Sequence, residues 1–250
     1  MSRDGSMTEM VRKHLDEFLG AARAALGGDL LAAVLYGSAA EGRIRPASDV
    51  NLILVLKRFD RTLADGLREA CSLAHAAVRL EIMFLLEAEV PAAMEAFPVK
   101  FADVLVRRQV IFGRDPFEGR CIPPALLARH ARQVLLNLRL RLRASYALAG
   151  AREEQLAAVV AGVAGPLRSG AAALCCLEGR PAASPRESLR RLASGLPGGP
   201  WDEALAGISE ARERESLPPG AGPRLVFRLM ELAEALQARA EEFLARENLR

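Results

Sequence analysis

Two oxygen-bearing side chains, Asp49 and Asn51, follow a Gly37-Ser38 pair across a short polar loop that runs through Arg43 and Arg45 to Ser48. Strand side chains alternate faces, so in an extended segment Asp49 and Asn51 leave one side while Val50 and Leu52 leave the other. With the Gly-Ser turn opposite, they form a two-ligand platform facing a space of phosphate size.

The flanking segments read as the elements that hold this platform. Leu30–Tyr36 and Val50–Leu56 are short apolar runs bounded by turn residues, as buried central strands are. Thr8–Leu26 repeats apolar residues at helical spacing and stops at Gly27-Gly28. Asp60–Ala77 reads as a helix with Asp60 as its cap, and Val78–Leu86 as a third strand on which Glu81, Met83 and Leu85 share a face. Met94–Arg108 reads as a helix and Gln109–Phe112 as a short strand closed by Gly113.

That order predicts an α/β core over residues 1–116 with a mixed sheet. After it the strand signals stop, and residues 117–250 read as an all-α helical bundle. Its helices are Pro123–Ala149, Glu153–Leu177 with a kink at Gly165-Pro166, a short one capped by Ser184, Trp201–Glu215 and Arg224–Asn248. On the first of these, Arg132, Arg139 and Arg143 lie along one stripe. The stripe is either a solvated face or a basic wall completing a phosphate pocket between the two halves.

A hydrophobic fraction of 51% supports a sizeable core, and a net charge of +3 does not call for a nucleic-acid partner. Nearly all the positive charge is arginine, with lysine only at positions 13, 57 and 100. The longest apolar run, Leu156–Leu167, stops at Arg168, short of a membrane span, and the first residues carry no apolar leader. The expectation is a cytoplasmic protein without a membrane partner. Cys71, Cys121, Cys175 and Cys176 lack metal-site spacing.

The run from Leu35 to Val55 resembles the nucleotidyltransferase superfamily, whose signature is an apolar strand, Gly-Ser, a spacer, and Asp-x-Asp or Asp-x-Glu in a second apolar strand. It also resembles a narrower bacterial subgroup with Asp-x-Asn in place of Asp-x-Asp. Segments like Phe97–Asp103 and Phe112–Pro116 belong to the same likeness. The resemblance implies a nucleotidyltransferase-like fold that binds a nucleoside triphosphate with Mg2+ and passes a nucleoside monophosphate to an acceptor hydroxyl. Gly37, Ser38, Arg43 and Ser48 would hold the nucleotide, although Arg43 also reads as a solvated loop residue. Asp49, Asn51 and Glu81 would hold metal, with Asp49 and Glu81 as the catalytic pair. Magnesium is a hard cation that takes oxygen ligands, which is why such sites use carboxylates. Asn51 keeps an oxygen but lacks the charge that offsets two divalent ions in a confined site. A catalytically silent nucleotide sensor, or an antitoxin-like partner of another helical protein, is the competing expectation. The acceptor and any self-association stay open.

Overall fold

The computed structural model describes residues 3–43, 49–150 and 152–247. The order is α1 (Arg3–Leu26), β1 (Leu30–Tyr36), β2 (Val50–Leu56), α2 (Arg61–Val78), β3 (Leu80–Leu86), α3 (Val90–Ala96), α4 (Pro98–Val106) and β4 (Arg108–Gly113). Then follow α5 (Pro124–Ala149), α6 (Glu153–Gly162), α7 (Ala164–Leu177), α8 (Pro185–Ala193), α9 (Asp202–Arg214) and α10 (Ala221–Glu247). The chain forms two compact units. One takes residues up to Ala96 together with Asp103–Cys121, and the other takes Phe97–Ala102 together with everything from Ile122 onward.

In the first unit the sheet order is β3-β2-β1-β4, with β2 parallel to β3 and the remaining pairs antiparallel. One face is packed by α1 and α2, where Val11, Leu15, Phe18, Leu63 and Leu67 join Ala33, Leu35, Leu52 and Leu54 in a common core. The opposite face is buried at Val34 and Ile53. At its end the register lines up Glu81, Asn51, Tyr36 and Arg108, one residue from each strand. Residues paired across a sheet project from the same face, so this row is a single surface.

Asp60 caps α2 by accepting a hydrogen bond from the Leu63 N–H at 3.0 Å. The single helix expected over Met94–Arg108 is two, parted at Phe97-Pro98. Proline offers no N–H and disfavours helical conformation in the residue before it.

In the second unit α5 and α10 lie together, and α6, α7, α8 and α9 close around them. Leu135, Leu142, Leu156, Leu167, Leu174, Ile208 and Leu229 fill the core. The break in Glu153–Leu177 falls at Val163, not at Gly165-Pro166. Pro166 sits in the first turn of α7, where a missing N–H removes no helix bond, so the kink moves upstream. Glu153–Leu177 is long and apolar enough to cross a membrane by length and composition, but half of its apolar window is buried inside the bundle. Ser184 caps α8 by accepting from the Glu187 N–H at 3.2 Å. The four cysteines are free thiols.

Candidate functional site

The site is built where β1 ends. Gly37 turns the chain with φ +76, a left-handed conformation that L side chains resist. Its N–H donates to the Arg107 carbonyl at 3.0 Å, extending the β1–β4 ladder by one bond. That donor is therefore engaged within the sheet, leaving the half-buried Ser38 as the nearest side-chain donor in the turn. The loop then closes on itself, the Arg43 N–H donating to the Ser38 carbonyl at 2.9 Å and the Gly42 N–H to that of Ala39 at 3.1 Å. Arg43 is exposed, while Arg45 and Ser48 lie outside the described residues.

Asn51 stands over this turn. A Cβ placed on Gly37 would sit 3.9 Å from the Asn51 amide nitrogen. Asn51 donates from Nδ2 to the Asp49 carbonyl at 3.4 Å, and its register partners are Tyr36 on β1 and Glu81 on β3. Glu81 is exposed, with its carboxylate 3.5 Å from His75 Nδ1, and the same ring nitrogen lies 3.2 Å from the Leu80 carbonyl. The parallel β2–β3 register thus pairs Glu81 with Asn51, the residue that stands beside Gly37.

Asp49, immediately before β2, is engaged elsewhere. Its Oδ1 accepts from Arg79 Nε at 2.7 Å. Arg79 caps α2 in the left-handed conformation at φ 52, donating its N–H to the His75 carbonyl and accepting at its own carbonyl from the Val50 N–H at 3.2 Å. Both side chains are about half exposed, so the pair itself contributes about 1 kcal/mol or less.

Sequence reasoning did not single out Tyr36 or Arg107. Tyr36 is 8% exposed, and its phenol is pushed up to about 12, first by burial and then by the charges of Asp103 and Glu81. Its one sequence signal is its place directly before Gly-Ser. Arg107 is anchored by Asp103, Nε to Oδ1 at 2.8 Å, and by Glu41 Oε2 at 3.3 Å from Nη1. Burial opposes its charge, but the two carboxylates outweigh that and hold the guanidinium above its ordinary value. Glu41 belongs to the loop after Ser38, so this ion pair ties the loop to the end of α4.

These residues do not fit a two-metal centre. Among the described residues no three His, Cys, Asp or Glu side chains are grouped to hold an ion. Asp49 carries a guanidinium on its carboxylate, and Asn51 is an amide where a second carboxylate would stand.

No family model and no curated protein matches the chain. Among solved structures, spectinomycin adenyltransferase AAD(9) from Enterococcus faecialis, solved with ATP and spectinomycin, aligns with a TM-score of 0.58 at 12% identity, covering 92% of this chain and 99% of that one. The fold is nucleotidyltransferase-like. The helical C-terminal region belongs to the same likeness, since the alignment spans nearly the whole of both chains.

Within the helical unit, Arg139 turns inward along α5. It donates to Gln237 Oε1 at 3.0 Å and Glu234 Oε1 at 2.7 Å on α10, while Arg132 and Arg143 are exposed. The stripe therefore divides into one strut and two surface residues.

Proposed function

We propose that the chain binds a nucleoside triphosphate at the Gly37-Ser38 turn and passes its nucleoside monophosphate to an acceptor hydroxyl. The observation that carries this reading is Asn51, which stands beside the left-handed Gly37 and has Glu81 as its register partner, within a nucleotidyltransferase-like fold. Ser38 donates its hydroxyl to a phosphate oxygen, and Arg43 adds to the same phosphate surface. Glu81, exposed at the sheet end, accepts the acceptor's hydroxyl proton. The acceptor oxygen then bonds to the α-phosphorus as its bond to the departing pyrophosphate breaks. Asp49, Asn51 and Glu81 are the residues that would offer protein oxygens to Mg2+, which would supply positive charge to offset the negative charge of the triphosphate. The nucleotide part of the reading belongs to residues 1–116, with 117–250 as a helical domain.

The alternative is a nucleotide-binding protein without transfer, a sensor or a partner for another helical protein. Asn51 and the Asp49–Arg79 pair favour it, because both subtract from the negative charge that draws catalytic metals.

Calorimetric titration with each of the four nucleoside triphosphates, with and without Mg2+, tests the binding. A pyrophosphate-release screen over small-molecule hydroxyls tests the transfer, with spectinomycin first because AAD(9) was solved with it. Binding with pyrophosphate release supports the transferase, and binding without it the silent alternative. No binding of any nucleotide defeats both.

A further inference from the structure

We propose that Arg79 is the resident cation of this site, supplying from the protein the positive charge that a second divalent ion would otherwise bring. The inference rests on the nucleotide reading above and adds what that reading leaves open, the means by which a triphosphate is tolerated beside Asp49.

The charges converge on this assignment. A carboxylate beside a triphosphate repels it unless a cation lies between them. Here Asn51 has removed one negative charge from the expected set and Arg79 neutralises another, with Nε 2.7 Å from Asp49 Oδ1. Both departures lower the need for metal at the same place.

The backbone agrees. Arg79 is one of two non-glycine residues at positive φ among the described residues, at a helix end where glycine or asparagine would fit with less strain. Its N–H is fixed to the end of α2 and its carbonyl to the first N–H of β2, so the Cα is pinned beside Asp49. The side chain remains 61% exposed, and the surface pair is weak enough to be exchanged. A guanidinium fork held at its base and loosely paired at its tip can transfer from carboxylate to phosphate oxygens, which it matches in geometry. Triphosphate arrives, Arg79 moves onto it, and Asp49 is left for a single ion.

Two measurements test this. Mn2+ binding is followed by electron paramagnetic resonance in the nucleotide-free protein, comparing the wild type with Arg79→Gln and Arg79→Gly. The glycine variant relieves the left-handed backbone and so guards against a folding defect. With Asp49 released from a pair of that strength, both variants should bind Mn2+ about three- to fivefold more tightly. Equal affinity in all three proteins, or no binding in any, overturns the inference.

The second measurement is ATP, GTP, CTP and UTP affinity in EDTA and in Mg2+. The wild type should keep its preferred nucleotide in EDTA, and the variants should lose about tenfold there while recovering most of it in Mg2+. A wild type that binds only in Mg2+ overturns the role of Arg79 and leaves the nucleotide site standing. A wild type that binds nothing in either condition defeats the nucleotide reading and this inference with it.

Discussion

Tyr36 and Asn51 stand opposite each other in the β1–β2 pair, a buried phenol and a half-buried amide on the same face of the sheet. Burial pushes the phenol up to about 12 in the folded protein, whereas in the unfolded chain it ionises near 10. A group whose folded value is raised gives its stability in full below the unfolded value and loses it as pH rises through the folded one. Tyr36 should therefore contribute up to ~2 kcal/mol that fades between about pH 10 and 12. Denaturant unfolding of the wild type and Tyr36→Phe across that range should show a steeper alkaline loss in the wild type. Parallel curves would contradict the assignment.

Asn51→Asp restores the acidic residue of the Asp-x-Asp pattern directly across from Glu81. Without metal, like charges on paired strand positions should lower stability by about 0.5–1 kcal/mol. Added Mg2+ should reverse that loss, with ion affinity rising about tenfold. Thermal melts with and without Mg2+ read both effects. If the wild type turns over nucleotide and this variant is slower, Asn51 is tuned for the reaction and is no defect.

Arg107 holds Asp103 and Glu41 together with its guanidinium only 11% exposed. Arg107→Met leaves two carboxylates half-buried without their cation, and should cost about 3 kcal/mol. Hydrogen exchange should show the loop from Ser38 to Arg43 losing protection first, because Glu41 is its tie to the end of α4. An unaltered exchange pattern there would mean that the loop is held by its own backbone bonds alone.

Gly113 ends β4 at φ +76, and a Cβ there would lie 1.9 Å from the Leu31 carbonyl oxygen. Backbone cannot give way as a side chain can, so Gly113→Ala should destabilise by at least ~3 kcal/mol. Gly150→Ala, at φ 57 and ψ −138 but with open space around it, should lose less, about 2 kcal/mol from the backbone conformation alone. Comparable melting points for the two would remove the steric argument.

The strands Leu30–Tyr36 and Val50–Leu56 are legible to the residue, because turn residues bound each apolar run. Glu81 is legible as a site candidate only through its place after the connecting helix, and its pairing with Asn51 depends on a parallel register that no local pattern encodes. Arg79 was not legible. It lies thirty positions from Asp49, and its value comes from a left-handed helix end meeting the first residue of a neighbouring strand. Tyr36 read as the last apolar residue of a strand, since nothing local says that two carboxylates surround it. The break falls at Val163 instead of Gly165-Pro166 because Pro166 occupies the first turn of α7, a position that only the helix start upstream of it defines.

Glu81, Asn51, Tyr36 and Arg108 come from four strands and owe their common surface to register alone. Because the strand period is two, an insertion or deletion of one residue within any of these strands would carry its member of the row to the other face while leaving every side chain intact. The same slip would drive the apolar partners of α1 and α2 out of the core. Folding and the candidate chemistry are thus guarded by one constraint. Single substitutions can therefore alter the residues of the row one at a time far more easily than any change in the chain can alter their alignment.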